Sequence, residues 1–89
     1  VLLVNKNNIY KIQNKKKTKI DINLKVLKIF SVDGLVYATN LQNELFLIND
    51  NLKSFRKIYT SKKIITDLKS YKGEIYLSTI DGNFKKISF

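Results

Sequence analysis

Two stretches of this chain repeat one another at a fixed spacing. Residues 26–34 read VLKIFSVDG and residues 65–73 read ITDLKSYKG, and the alignment without a gap places Gly34 beside Gly73. We call the separation between these two glycines the repeat spacing. A pattern that recurs about every 40 residues indicates a supersecondary unit that cannot bury its apolar face alone and stacks on its neighbours. The repeat therefore limits the chain to an array of like units.

The match continues beyond the glycines. The segment LFLIN, which begins at Leu45, aligns with FKKIS from Phe84 at the same spacing, and Thr39 aligns with Thr79 once one residue is inserted. A partial third copy stands at the start, where IYKIQ from Ile9 aligns with LFLIN at a slightly shorter spacing and VLLV takes the place of LVYAT. We therefore expect one complete unit between two partial ones.

Apolar and polar residues alternate with a period of two, which is typical of β-strands. Every second residue from Ile20 to Val26 is apolar, whereas the continuous apolar run at 45–48 predicts a strand buried on both faces. No window carries the spacing and end signals of a helix, so we predict an all-β fold of antiparallel hairpins. The predicted strands are residues 1–4, 9–13, 19–23, 26–31, 35–40, 45–49, 55–60, 64–70, 74–79 and 84–89.

Turn residues separate the predicted strands. Gly, Asn and Asp tolerate the positive φ that tight hairpins require. Five such residues are predicted structural turns: Asp33, Gly34, Gly73, Asp81 and Gly82. A catalytic role for either aspartate would need a raised pKa and a partner, and the sequence IDGN around Asp81 is too short and too poor in acids for a calcium loop. We therefore interpret both aspartates as turn residues.

The chain carries a formal net charge of +10 at pH 7, which would suit a nucleic-acid ligand. Sixteen of its 17 basic residues are lysine, however, and a residue usage poor in Ala, Arg and Pro is what AT-rich codons impose. Because Arg56 is the one arginine, base-specific readout through bidentate guanidinium groups is disfavoured. We attribute the charge mainly to composition.

Two groups of lysines are candidates for contacts with a partner or a phosphate. We expect the first group in a connection before an outer strand and the second in the connection between units, so that the charge is spread over opposite faces. The candidates are Lys15, Lys16 and Lys17 in the first group and Lys62 and Lys63 in the second.

Composition also disfavours several classes of site. Without Cys or His the chain has neither a disulfide framework nor an ordinary zinc site, and we expect no cofactor. The longest apolar runs are four residues, far below the roughly 20 that span a bilayer, and no basic flank of the kind a signal peptide carries precedes residues 1–4. The lack of Cys fits an intracellular location, cytoplasmic or nuclear. Since the first residue already lies in a predicted strand, we expect a segment of a longer protein.

Residues 71–89, YKGEIYLSTIDGNFKKISF, resemble a blade of the WD-repeat and WD-like β-propeller superfamily. Such blades carry a glycine turn, an apolar strand that ends in small residues, an Asp-Gly turn and a further apolar strand. The matching positions here are Gly73, residues 75–79, Asp81-Gly82 and residues 84–87. The superfamily's Trp-Asp dipeptide and Gly-His pair are absent, which leaves quinoprotein-like and kelch-like propellers open.

The resemblance implies an incomplete β-propeller with antiparallel, four-stranded blades of about 40 residues. Residues 1–89 would be part of a single β-propeller domain, with a partial blade at 1–23, a blade at 26–60 and a partial blade at 64–89. A propeller needs about four to eight blades. Closure would therefore require a longer chain, several copies or a larger host.

The resemblance also implies a function, that of a non-enzymatic scaffold holding protein partners in a multi-subunit complex. Two alternatives stay open: a basic component of a ribonucleoprotein or other nucleic-acid assembly, and part of a propeller enzyme whose catalytic residues lie outside this segment. Tyr37, Tyr76 and Phe84 recur at equivalent blade positions. We expect these rings to pack between blades instead of stacking on bases.

Overall fold

Antiparallel β-strands make up the described part of the chain, residues 1–49 and 51–87 of a computed structural model. The strands are β1 (Leu2–Asn5), β2 (Asn8–Gln13), β3 (Lys16–Lys19), β4 (Lys28–Val32), β5 (Leu35–Thr39), β6 (Glu44–Ile48), β7 (Phe55–Thr60), β8 (Ile65–Tyr71), β9 (Glu74–Thr79) and β10 (Phe84–Ile87). They form three sheets, ordered β1-β2-β3, β4-β5-β6-β7 and β10-β9-β8. The predicted all-β, antiparallel fold is confirmed.

Most predicted strands agree with the observed bounds to within two residues, and β7 and β9 have the predicted bounds. The predicted turn at 49–51 and the last predicted strand include Asp50, Ser88 and Phe89, which lie outside the described residues. No helix that could cross a membrane occurs in the described ranges.

Four hairpins turn through two residues that both have positive φ. The pairs are Lys6-Asn7, Asn14-Lys15, Asp33-Gly34 and Lys72-Gly73, with φ between 51° and 78°. This backbone is typical of a type I′ turn, whose twist matches that of the flanking strands. Glycine fills only two of these eight positions, so Asn, Asp and Lys adopt the left-handed conformation at the others.

One pairing register occurs in both the second and the third sheet. Ser31 lies opposite Val36 in the β4–β5 pair, and Ser70 lies opposite Ile75 in the β8–β9 pair, with both partners displaced by the repeat spacing. The same relation holds for β5–β6 and β9–β10. The two sheets are therefore superposable in sequence without a gap.

This register corrects one detail of the sequence alignment, the residue inserted to match Thr39 with Thr79. Thr39 lies opposite Leu45, and the residue opposite Phe84 is Ser78, so Thr39 corresponds to Ser78. Identity of residue type had suggested the insertion, but the two hairpins have the same length between paired strands, and no insertion is needed.

The second sheet lies between the other two, and a hydrophobic cluster fills each interface. One cluster joins the second and third sheets around Tyr37, Leu45 and Leu77. The other joins the first and second sheets around Ile9 and Ala38. Strand β1 contacts β4, and β4 contacts β8, so the sheets stack in chain order with their first strands adjacent.

Strand β6 confirms the prediction of a strand buried on both faces. Leu45 and Leu47 pack against the third sheet, while Ile48 packs against the first. Phe46, which is also buried, makes an edge-to-face contact with Phe55 on β7, with ring centroids 5.4 Å apart. A continuous apolar run fits this strand because neither of its faces meets solvent.

The predicted strand at 19–23 is wrong. The two-residue turn at Asn14-Lys15 ends β2 and starts β3 at once, so the third strand of the first sheet is Lys16–Lys19. Its four residues are all exposed and polar, a composition that gives no apolar alternation for sequence analysis to detect.

Residues 20–26 instead form an extended connection without a ladder partner. Ile22 N–H donates to Ile20 C=O at 3.1 Å and Leu24 N–H donates to Ile22 C=O at 2.9 Å, the pattern of successive γ-turns. The apolar side chains of this segment pack on the cluster between the first two sheets, and Val26 is fully buried. The alternation of apolar and polar residues in this segment therefore indicates that one side of the chain is buried. It does not indicate that the segment pairs as a strand.

Candidate functional site

A cleft of about 540 Å³ opens between the β7–β8 connection and the β9–β10 hairpin. A backbone hydrogen bond from Ile80 N–H to Ile64 C=O, 2.9 Å long, joins the two segments. Polar, cationic and aromatic side chains from both segments line the cleft. The lining residues are Tyr59, Thr60, Ser61, Lys62, Lys63, Leu77, Thr79, Asp81, Asn83, Phe84 and Lys85. The cleft brings together Lys62, Lys63 and Asp81 from the predicted site residues.

Strand β10 borders the cleft and forms the edge of the third sheet. Within the described residues it pairs with β9 alone, whereas β6, its counterpart in the second sheet, pairs with both β5 and β7. An edge strand carries backbone N–H and C=O groups that can pair with another extended chain. The place that β7 fills in the second sheet is therefore empty in the described part of the third.

Two lysines stand on β10 where β6 has apolar residues. Lys85 and Lys86 correspond to Phe46 and Leu47 at the repeat spacing. Lys85 Nζ lies 5.1 Å from the ring centroid of Tyr59, and Lys86 Nζ lies 3.4 Å from a carboxylate oxygen of Glu74. Both lysines are exposed, so the edge is cationic.

The prediction that three aromatic rings pack in the interior holds for one of them. Tyr37 is buried between the second and third sheets, and Tyr76 is half-buried. Phe84 is 80% exposed, which corrects the expectation for that ring. Phe84 lies on the outer face of the third sheet, which no other sheet of the described chain covers.

Asp81 is held by its own hairpin. Its Oδ1 accepts the hydroxyl of Thr79 and, at 3.4 Å, the backbone N–H of Asn83, while its Oδ2 accepts the side-chain amide of Asn83 at 3.0 Å. The Thr79 hydroxyl, the Asn83 N–H and the nearby charge of Lys63 lower the pKa of Asp81. A carboxyl group with a lowered pKa stays ionised near neutral pH, which disfavours it as a general acid.

The β7–β8 connection is tied to the second sheet beside the cleft. Ser61 is buried, its N–H donates to Asn43 C=O at 2.9 Å, and its Oγ accepts the N–H of Lys63 at 3.2 Å. These bonds fix the backbone of the connection while Lys62 and Lys63 remain exposed. The two cations therefore stand at the rim on an ordered support.

The other predicted lysines lie elsewhere. Lys15 is in the β2–β3 turn, and Lys16 and Lys17 lie in strand β3 and not in a connection. Lys17 Nζ lies 4.4 Å from the ring centroid of Tyr10, on the first sheet. None of the three lines the cleft, so the two predicted groups do not form a single site.

The remaining predicted turn residues shape hairpins at other positions. Asp33-Gly34 forms the β4–β5 turn, Gly73 lies in the β8–β9 turn, and Gly82 has a φ of 87° in the β9–β10 hairpin. Residues 1–49 and 51–87 contain no group of His, Cys, Asp or Glu that could hold a metal ion.

The sequence patterns do not point to Tyr59, Lys85 or Lys86 as site residues. The signal for the two lysines was present in the alignment of FKKIS with LFLIN, where lysines replace the apolar centre of a strand. Lysines at these positions are typical of a strand that is more exposed to solvent than β6. Tyr59 contacts Lys85 only because the second and third sheets pack together, so no short stretch of sequence indicates that Tyr59 lines the cleft.

No family model matches this chain, and a search of curated proteins finds no significant match.

Proposed function

We propose that the three sheets are blades of an incomplete β-propeller of the WD-like kind, and that the chain is a non-enzymatic scaffold that binds extended segments of protein partners. The blade arrangement is supported by the pairing register that recurs at the repeat spacing. It is also supported by stacking in chain order, with β1 beside β4 and β4 beside β8.

The connections between the sheets support the same arrangement. Val26 N–H donates to Asn7 C=O at 3.0 Å, and Ser61 N–H donates to Asn43 C=O at 2.9 Å. In both cases a positive-φ asparagine in a hairpin receives the segment that leads into the next sheet. Asn7 is separated from Asn43 by the same interval that aligns Ile9 of the first unit with Leu45 of the second.

The observation that carries the scaffold function is the edge of β10 beside the cleft, which no other strand of the described residues covers. Such an edge binds an extended peptide by strand addition, in which main-chain hydrogen bonds give affinity and side chains give specificity. Lys62, Lys63 and Lys85 surround this position, and Phe84 offers an exposed ring. The ligand class that fits is an extended, acidic segment with apolar residues, antiparallel to β10.

The register of the second sheet specifies which ligand positions should be acidic. In the β6–β7 pair, Arg56 lies opposite Leu47 and Lys57 lies opposite Phe46. A strand placed against β10 as β7 lies against β6 would bring these two positions opposite Lys86 and Lys85. Opposite charges stabilise directly facing cross-strand pairs and like charges destabilise them.

This register yields a designed probe. A labelled peptide with the sequence of β7, but with glutamate at the positions of Arg56 and Lys57, is expected to bind the full chain. The same peptide with lysine at both positions is expected to bind at least about tenfold more weakly, the factor that corresponds to about 1.4 kcal/mol. Fluorescence anisotropy at physiological salt measures both affinities.

Charge reversal on the protein supplies the matched control. The double variant Lys85→Glu and Lys86→Glu should prefer the lysine peptide, whereas Lys15→Glu and Lys16→Glu, with an equal change in net charge, should keep the original preference. A glutamate peptide that binds without regard to these changes would contradict the proposal. So would tighter binding of single-stranded DNA with a steep loss of affinity on raising salt, which would favour the nucleic-acid alternative.

A further inference from the structure

The outer face of the third sheet corresponds, position by position, to a face that is buried in the second sheet. Tyr71 and Phe84 are 62% and 80% exposed. Their counterparts one repeat spacing earlier are Val32 and Leu45, which are both buried against the third sheet. Tyr76 in the same way corresponds to the buried Tyr37. The third sheet thus repeats the apolar positions of an interface, and no layer of the described residues covers them.

The outer face of the first sheet likewise corresponds, position by position, to a buried face, namely the face of the second sheet that packs on the first sheet. Leu3 lies opposite Tyr10 there, as Ala38 lies opposite the buried Phe46. Ile12, two residues beyond Tyr10, corresponds to the buried Ile48.

A contact with an aromatic ring also occurs at corresponding positions of this outer face and of the buried face. Ile12 pairs with Lys17 as Ile48 pairs with Phe55. The contact of Lys17 with the Tyr10 ring therefore takes the place of the Phe46–Phe55 contact. A lysine at a position that holds phenylalanine in the buried face keeps this outer surface solvated in a single copy.

We propose that a second copy of this chain docks its first sheet on the outer face of the third sheet, head to tail. Both interfaces within the molecule join the same two kinds of face. In each, the face of one sheet that corresponds to the Tyr37 face of the second sheet packs on the opposite kind of face of the next sheet. Within residues 1–49 and 51–87, the two outer faces are the members of that series that meet no other sheet. A contact between them repeats an interface that the chain already makes twice.

Charge favours this pairing over the contact of two first-sheet faces. The first-sheet face carries Lys17 and Lys19 and, among its described residues, no carboxylate. The third-sheet face carries Asp67 and Glu74, each beside a lysine of its own sheet, so it is mixed in charge and can meet the lysines of the first. Two first-sheet faces in contact would oppose their lysines, and like charges in an interface disfavour the wrong pairing.

Complementary blocking of the two faces tests the proposal. Variant one carries Tyr71→Lys and Tyr76→Lys on the third sheet, and variant two carries Tyr10→Lys and Ile12→Lys on the first. Tyr71 and Tyr76 do not line the cleft, so these substitutions act on the outer face of the sheet. Sedimentation equilibrium measures the mass of each protein and of an equimolar mixture from micromolar to millimolar concentration.

The wild type is expected to exceed its monomer mass of 10.4 kDa as concentration rises, while each variant stays at that mass. The mixture of the two variants is expected to form a one-to-one dimer, because each keeps the face that the other has lost. Circular dichroism checks that both variants retain β-structure, and the milder substitutions Tyr71→Ser and Leu3→Ser replace any variant that unfolds. A monomeric wild type, self-association of either blocked variant, or a mixture that stays monomeric would overturn the proposal.

Discussion

At the scale of single residues, Thr39 and Ser78 occupy corresponding places in two sheets, yet their hydroxyl groups differ in surroundings. Ser78 Oγ lies 3.1 Å from Thr66 Oγ1. Thr39 Oγ1 is buried and has no hydrogen-bond partner within the described part of the chain. A buried polar group without a partner costs about 1–3 kcal/mol. The hydroxyl of Thr39 therefore lowers the stability of the folded protein.

Replacement of this threonine by valine removes the hydroxyl and keeps the β-branched shape. We expect Thr39→Val to raise the free energy of unfolding by about 1 kcal/mol, measured by urea denaturation. Thr18→Val, on the exposed strand β3, is the matched control and should change it by less than about 0.5 kcal/mol. Destabilisation by Thr39→Val alone would mean that the hydroxyl has a partner that supports the fold.

At the scale of elements, residues 20–26 show how an extended chain can be well packed without being a strand. The amides of Ile22 and Leu24 bond two residues back, whereas those of Ile20 and Val26 donate to Ile9 C=O and Asn7 C=O in the first sheet. Both kinds of bond occur along a single segment. The segment therefore allows amides in three-residue turns to be compared with amides bonded to another element.

We expect the amides of Ile22 and Leu24 to exchange with solvent hydrogen faster than those of Ile20 and Val26. A three-residue turn opens by a local change, while a bond to another element opens only when the packing between elements is disturbed. Hydrogen exchange followed by NMR resolves the four amides. Equal protection at all four would contradict the unpaired connection and restore the strand that the alternation predicted.

The hairpins could be predicted from the sequence because their signals are local. Asp33-Gly34 and Lys72-Gly73 lie between alternating segments and form two-residue turns. Strand β3 could not be predicted in the same way, since its exposed polar residues carry no alternation. The alternation at 20–26 was present but did not distinguish a paired strand from a connection with one side buried.

At the scale of the whole molecule, the stacking order of like sheets could be predicted from the repeat, but the burial of individual rings could not. Tyr37 and Phe84 both occupy repeat positions that face a neighbouring sheet, and only Tyr37 has one within the described residues. The edge position of β10, which pairs with β9 alone among the described strands, likewise depends on the neighbours of that strand. The repeat predicts which faces form interfaces, and the described residues fill two of these interfaces.

One register, repeated from the second sheet to the third, builds sheets that stack through equivalent faces. Nuclear Overhauser contacts in the isotope-labelled protein report both the register and the stacking. We expect cross-strand contacts of Ser31 with Val36 and of Ser70 with Ile75, together with contacts from the Tyr37 ring to methyl groups of the third sheet. A pairing in the third sheet shifted from this register, or a Tyr37 ring without contacts to that sheet, would contradict the account.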